Sequence, residues 1–451
     1  MKVFRAMFSV MLLASLLCST ITIASSSITD DYPDLEPLTL LVSGEDISPM
    51  HLLAYRAVKV AMRELGFQRG DSNILVLTDA GNPIIADKYP TACCLDALTL
   101  ISGCSKSKGN LVVVQRSKWL PLWFAFYSRD TGMCVYVQAN SAILASYMDA
   151  WEETEDRLSI QQAFMNLPDE EVFEKIAVEN ISAELLLSKP EAWHEKMENK
   201  VFGGNEFSII TIAACWDKGL PYELLKAAEL HNHICPGLTS GVLIIKYLDQ
   251  HLPIEEVGQE YVILAVPPWC KDDAFQAVYD STVGKRKMTV MMLSKQQIEQ
   301  LPEEAKNVAG IYVKWDKSEG KGYALVLAFD WDKACNISDI ERAWFKDFKS
   351  YKWWYARLKM DLILQDYIDS PEEFVTTVME FPINSSSELT SLRLAGVNPY
   401  VELGLMPAPQ PEVKTITVEV VPMWAYAAIV ILALALIAMV AAYVKKAPKS
   451  Q

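Results

Sequence analysis

Histidine is scarce in this chain, with five in 451 residues, so chemistry that runs on imidazole has few places to sit. Cationic side chains are also short: 41 Lys and Arg against 57 Asp and Glu leave a formal charge of -16. A body this acidic lacks the basic stripe that phosphate backbones need, which disfavours nucleic acid, and none is expected as a partner. Such acidity suits a solvated outer surface or a salty, acid-tolerant medium. No CxxCH and no ferredoxin-type cysteine run occurs, which counts against an independent redox chain. Long hydrophobic runs are confined to the two ends.

The first run, from about Met7 to Leu17, follows two cations, Lys2 and Arg5, and leads into small residues near Ser25. It is too short to span a bilayer, and the polar TDDYPDLEP comes after it. The pattern predicts a secretory signal over 1–25, removed on export. Cys18 is no lipid anchor on this reading, because Leu17 before it is the wrong residue for a lipobox. The second run, Met423 to Val444, is uncharged and edged by Trp424, Tyr426 and Tyr443. It predicts one spanning helix over 423–444. Lys445, Lys446 and Lys449 follow at once, which by the positive-inside tendency puts the 445–451 tail in the cytoplasm and the body outside. Three N-x-S/T sequons, at Asn180, Asn336 and Asn384, are compatible with that exposure. Nine cysteines, eight of them beyond the signal, would by default form disulfides there.

The body carries a diverged repeat. CCLDALTLISGCSKSKGNLVV (93–113) aligns without gaps on CKDDAFQAVYDSTVGKRKMTV (270–290), sharing Cys, Asp, Ala, Lys and a final Val. Helix-like stretches precede both, opening at Pro49 and Pro236, with about ten extra residues in the first copy between helix and cysteine. Strand-like runs follow both, PLWFAFYSRDTGMCV and YALVLAFDWDKACNI, which puts Cys134 and Cys335 at comparable places as packing or disulfide residues. The expected organisation is a degenerate copy at 38–140, a helical connector at 141–204, an intact copy at 205–340, a helical extension at 341–405 and a proline-containing stalk at 406–422. Helices and strands do not alternate strictly, so the class is α+β, two copies of one domain forming an intramolecular pseudo-dimer.

Two of the five histidines fall in one short motif, HNHICPG. A helix ending near Leu230, a short extended segment and a helix opening at Pro236 would point His231, His233 and Cys235 to one side. Cys235 would then lie at a helix amino terminus, where the thiolate is favoured. Two imidazoles and one or two thiolates suit zinc or another borderline metal. The other reading is that the histidines cap backbone groups and Cys235 is a buried filler or half of a disulfide. The first copy has Gly44, Asp46 and Ser48 at the matching positions, so the scaffold folds without the ligands.

HNHICPG, then Cys270, Asp273 and Ala274 in a C-x-x-D-A segment, then Thr282, Gly284 and Lys285, resembles the FmdE-like domain family of formylmethanofuran dehydrogenase, found in methanogenic archaea and various bacteria. The likeness is strong over 207–340 and weak over 38–140. It implies a self-pairing α+β domain, a metal site on His231, His233 and Cys235 joined by Cys270, and a link to one-carbon or metal-cofactor metabolism. Asp273 and Lys285 take the family's pocket-lining polar positions, as acid/base and anion anchor if the protein is an enzyme. Cys93, Asp96 and Lys108 are their counterparts in the first copy. No paired CxxC zinc ribbon is present, and export is at odds with cytoplasmic formylmethanofuran chemistry. The expected cofactor is a divalent metal, zinc or iron, and the expected partners are a small molecule or metal ligand, the membrane and another membrane or extracytoplasmic protein. Three functions follow: a metal-dependent enzyme, a non-catalytic capture module, or a thiol redox protein using Cys235 and Cys270.

Overall fold

A computed structural model describes residues 27–408 and 422–446. The expected signal, most of the stalk and the last residues of the tail lie outside the described residues. The chain divides into two units, Met1–Met406 and Pro407–Gln451.

The first unit runs α1 (Pro49–Leu65), β1 (Ile74–Thr78), β2 (Leu111–Val113), β3 (Trp123–Ser128), β4 (Met133–Ala139) and β5 (Phe173–Asn180). It continues with α2 (Glu206–Gly219), α3 (Tyr222–His231), α4 (Pro236–His251), β6 (Gln259–Ala265), α5 (Lys271–Tyr279), β7 (Met288–Val290), β8 (Val308–Asp316), β9 (Lys321–Phe329), α6 (Lys352–Leu364) and β10 (Val375–Ile383). The two five-stranded sheets share one order, β2-β1-β3-β4-β5 and β7-β6-β8-β9-β10, with only β1–β2 and β6–β7 parallel. The duplication is therefore structural, and the class is α+β. Ser48 and Cys235 cap α1 and α4, each 28 residues before Val76 and Ile263 (48 to 76, 235 to 263), and those two residues pair with Leu111 and Met288 in matching register. The extra residues of the first copy form a small ribbon, Ile84–Ile85 with Tyr89–Pro90.

Three expectations need correction. The connector and the extension are not purely helical, because they hold β5 and β10, the fifth strands of the two sheets. In β5, Phe173, Ile176 and Ala177 follow a helical spacing while the charged Glu174, Lys175 and Glu179 suit an edge strand; pairing with β4 decides the outcome. The apolar runs after the repeat were matched one strand out of register. PLWFAFYS is β3, whose counterpart is β8, whereas YALVLAF is β9, so Cys134 on a strand and Cys335 on the helix Trp331–Ser338 are not equivalent. Finally, all eight described cysteines are free thiols; Cys94, Cys104, Cys134 and Cys215 are fully buried packing residues.

The first sheet is buried on both faces. Strand β1 alternates, as a central strand must: Ile74 and Val76 join the core over α1, while Leu75 and Leu77 join a second core with Ile209, Ile212 and Ala213 of α2. Trp123, Tyr127 and Tyr136 complete that second core, each large ring contributing about 1.5–3 kcal/mol relative to exposure. The same core runs on through α4 and α6 to one face of the second sheet, whose other face is covered by the segment that includes Leu389, Leu392 and Tyr400. Helices of the second copy are thus sandwiched between the two sheets.

In the second unit, α7 (Met423–Lys446) holds a 21-residue stretch, Met423–Tyr443, of mean hydropathy 2.7. At 1.5 Å per residue it is about 31 Å long and fits a single-pass membrane anchor.

Candidate metal centre

Helix α3 stops at His231 because Asn232 takes the left-handed conformation (φ 60), which asparagine tolerates better than most side chains. Ile234 is then tied down, its N–H donating to Thr211 Oγ1 at 3.1 Å. Cys235 is extended (φ -150, ψ 158) and caps α4, with Pro236 at the first helical position, where a missing N–H costs nothing. Cys270 caps α5 and meets Cys235 across Gly237, where an added Cβ would lie 3.0 Å from Cys270 Cβ and 3.2 Å from its Sγ. The glycine of HNHICPG is there to let the second sulfur in.

His231, Cys235 and Cys270 offer one nitrogen and two sulfurs that all lie within 4.8 Å of one another. His231 Nε2 stands 3.7 Å from Cys235 Sγ. Its other nitrogen, Nδ1, donates to Asp273 Oδ2 at 2.7 Å, and Gln276 Nε2 donates to Asp273 Oδ1 at 3.1 Å. Lys271, wholly buried, clamps the start of α5 by donating to Pro267 O and Asp272 Oδ1 at 3.1 and 2.7 Å.

The donor set fits a tetrahedral ion. Zinc bonds of about 2.3 Å to sulfur and about 2.0–2.1 Å to nitrogen put those two donors about 3.6 Å apart, close to the 3.7 Å found. A carboxylate behind the coordinating imidazole, here Asp273, is the usual way to fix its tautomer and raise its basicity.

The sequence-selected residues divide on this geometry. His231, Cys235, Cys270 and Asp273 converge. His233 stands beside the set; its ring centre lies 4.3 Å from that of His231 and 5.0 Å from that of Phe207, and its Nδ1 bonds Asn232 Oδ1 at 3.2 Å. With His231 on a helix end and Asn232 left-handed, the simple two-residue alternation of an extended segment does not hold. Lys285 is exposed and paired with Asp280. In the first copy Cys93 contacts Ser48, which bonds His51 Nδ1 at 2.9 Å, while Lys108 Nζ bonds Gly103 O at 2.8 Å. Ser48 thus stands where Cys235 stands in the second copy.

Sequence reasoning missed Arg116, Arg357 and Asp361. Arg116 follows β2 of the first copy and reaches Asn205, at the start of α2, with Nη2 to Oδ1 at 2.8 Å. Only the packing of one copy on the other brings it near, and no local pattern marks it. Arg357 and Asp361 lie on α6, in an aromatic-rich stretch that reads as core; Asp361 is fully buried and accepts from Thr239 Oγ1 at 2.7 Å.

The electrostatics set the protonation states. Cys235 donates its S–H to Cys270 and, with the nearby His231, outweighs burial to hold the Cys270 thiol down at about 5, while Cys235 is pushed well above its usual range. Burial disfavours imidazolium at His231, but its bonds to Asp273 and Cys270 prevail and raise it to about 9. Burial and the charges of His231, Arg357 and Arg116 lower His233 to about 3, so it is neutral. Since the thiolate is the nucleophile, iodoacetamide should alkylate Cys270 of the metal-free protein with a rate that rises through about pH 5, and Cys235 only at far higher pH. Mass mapping after pulsed alkylation reads this, and a Cys270 midpoint near 9 would refute the pairing.

A family model described as FmdE, Molybdenum formylmethanofuran dehydrogenase operon, matches residues 46–174 and 230–375. Each region takes in four whole strands of one sheet, and the second contains the whole cluster. No curated protein matches the chain.

Proposed function

Because the chain belongs to the FmdE family, in tandem form, and its second copy gathers two sulfurs and an imidazole nitrogen, we propose that it is a membrane-anchored protein that binds one divalent metal ion. His231, Cys235 and Cys270 hold the ion, zinc by donor chemistry with iron as the other candidate. The carrying observation is the 3.7 Å between His231 Nε2 and Cys235 Sγ, with Asp273 behind the same ring. Three protein donors are the count of an open site rather than a closed structural one. A metal so held supplies Lewis acidity to whatever takes the fourth position.

The chain's own residues do the rest. Asp273 is the group that keeps the His231 lone pair on Nε2, in place of the acid/base role read from the sequence. Neutral His233, whose Nδ1 bonds Asn232 Oδ1, leaves its Nε2 as a hydrogen-bond acceptor on a ring next to that of His231. The apolar setting of Cys235, 4% exposed, keeps water from competing for the sulfur. The body is read as extracytoplasmic, on the lysines after α7. The tie to one-carbon or metal-cofactor metabolism comes with the family, without formylmethanofuran as substrate.

Metal analysis of the full chain, purified in detergent, tests this: about one equivalent per chain is expected. Asp273→Asn should lower metal affinity about 10- to 100-fold, and Lys285→Gln should not change it. Equal affinity in wild type and Asp273→Asn would remove Asp273 from the site. A second reading, a reversible Cys235–Cys270 disulfide, rests on the two sulfurs lying within 4.8 Å of each other; metal-free protein recovered with that disulfide would favour it.

A further inference from the structure

Beside the cluster runs an aromatic wall: His231 and His233 4.3 Å apart between ring centres, His233 and Phe207 5.0 Å, Phe207 and Trp353 5.1 Å. Two guanidinium groups lie near it: that of Arg357 is 5.7 Å from the centre of the Trp353 ring, and both Arg357 and Arg116 act electrostatically on His233. Arg357 donates to the carbonyls of Trp353 and Phe345 at 2.6 and 3.1 Å. Arg116 is held by Asn205, two residues before Phe207, and its Nε is buried without a partner. Strand β2 is pinned there by Gln115, whose N–H donates to Glu229 O at 2.6 Å, two residues ahead of His231.

Among the described residues neither arginine makes an ion pair, in a chain whose formal charge is -16. Guanidinium does not lose its proton, and a half-buried charge without a counterion is costly. The nearby Asp361 and Asp79 pair with neither: Asp361 accepts from Thr239 Oγ1 at 2.7 Å and Asp79 from the Trp123 N–H at 3.1 Å, and burial raises both carboxyls above the usual range. A divalent ion would be balanced by the two thiolates, and the Asp273 carboxylate behind His231 offsets one further charge, which leaves one arginine charge over.

We propose that Arg116, from the degenerate copy, and Arg357, from α6, together hold the oxyanion of a small-molecule ligand, a carboxylate or phosphate group, next to the metal donors. The degenerate copy then has a role beyond scaffolding: it lends a recognition residue to its partner's site. The proposal rests on the metal-site reading for its position but not for its charge chemistry.

Calorimetric titration of the full chain in detergent, zinc-loaded and metal-free, with acetate, inorganic phosphate and neutral acetamide tests it. Saturable binding of acetate or phosphate, but not of acetamide, is expected, and whichever anion binds tighter names the group. Arg116→Gln and Arg357→Gln should each weaken it at least about tenfold, Arg116→Lys less, with metal content unchanged in all three. Wild type that binds neither anion better than acetamide, or glutamine variants that bind as wild type does, would overturn the proposal. A chain that takes up no zinc yet binds the anion would overturn the metal reading alone.

Discussion

Replacing Cys235 and Cys270 together by alanine is expected to empty the site: from about one metal per chain to less than about a tenth. The reason is the donor count. One imidazole nitrogen remains of three protein donors, and thiolate is the softest and most strongly bound of them. The fold should survive, because α4 and α5 are held by apolar contacts through Leu238, Val242, Ala274 and Phe275 rather than by the cysteines. A ligand present at 100 times its dissociation constant stabilises the folded state by about 2.7 kcal/mol. A chelator should therefore lower the melting temperature of the wild type and leave that of the double variant where it is. A double variant that keeps its metal would mean the ion sits elsewhere. The mild variant Cys235→Ser tells loss of the ligand from loss of packing, since it keeps the shape of the side chain.

The second large effect is expected at Gly241, one turn along α4. A Cβ built there would lie 2.7 Å from Lys271 O, 2.8 Å from Lys271 Cα and 2.9 Å from Ala274 Cβ. Two of these are backbone atoms of α5, so no flexible side chain can move aside. Gly241→Ala should cost about 1–3 kcal/mol, as overpacking of a filled core does, and Gly241→Val more. Metal affinity should fall as well, because pushing α5 from α4 separates Cys270 and Asp273 from Cys235. Denaturant unfolding and a competition titration with a chromogenic chelator read the two effects. Gly237→Ala is the control of intermediate size: its Cβ would meet the Cys270 side chain, which can give by a few tenths of an ångström. A Gly241→Ala protein of wild-type stability and metal affinity would show that the close helix contact is not what sets the site.

Much of the site was legible because its signal is local. HNHICPG combines rare residues with a proline and a glycine whose roles are short-range: Pro236 opens α4, and Gly237 makes room for Cys270. Cys270 and Asp273 became visible through the repeat, whose spacing the two sheets preserve. His233 was grouped with the donors because an alternating extended segment was assumed, and a left-handed Asn232 breaks that pattern. What the sequence hid is non-local. Edge strand β5 looks helical until a neighbouring strand takes its backbone bonds, while β10, whose Val375, Thr376, Thr377 and Val378 favour a strand, sits in an extension whose first half is helical. Arg116 lies 115 residues before His231 and reaches the site only because one copy packs on the other. The cysteines that read as disulfide material form no disulfide among the described residues, and Cys94, Cys104, Cys134 and Cys215 are buried in the cores.

The central claim is that sulfur from two different helix starts and one imidazole surround a single ion. X-ray absorption at the metal edge of the purified full chain addresses it directly. Two sulfurs at about 2.3 Å and at least one nitrogen at about 2.0–2.1 Å are expected, with both sulfurs lost in the Cys235→Ala, Cys270→Ala protein. A first shell of oxygen and nitrogen alone, in a wild-type chain that carries metal, would contradict it.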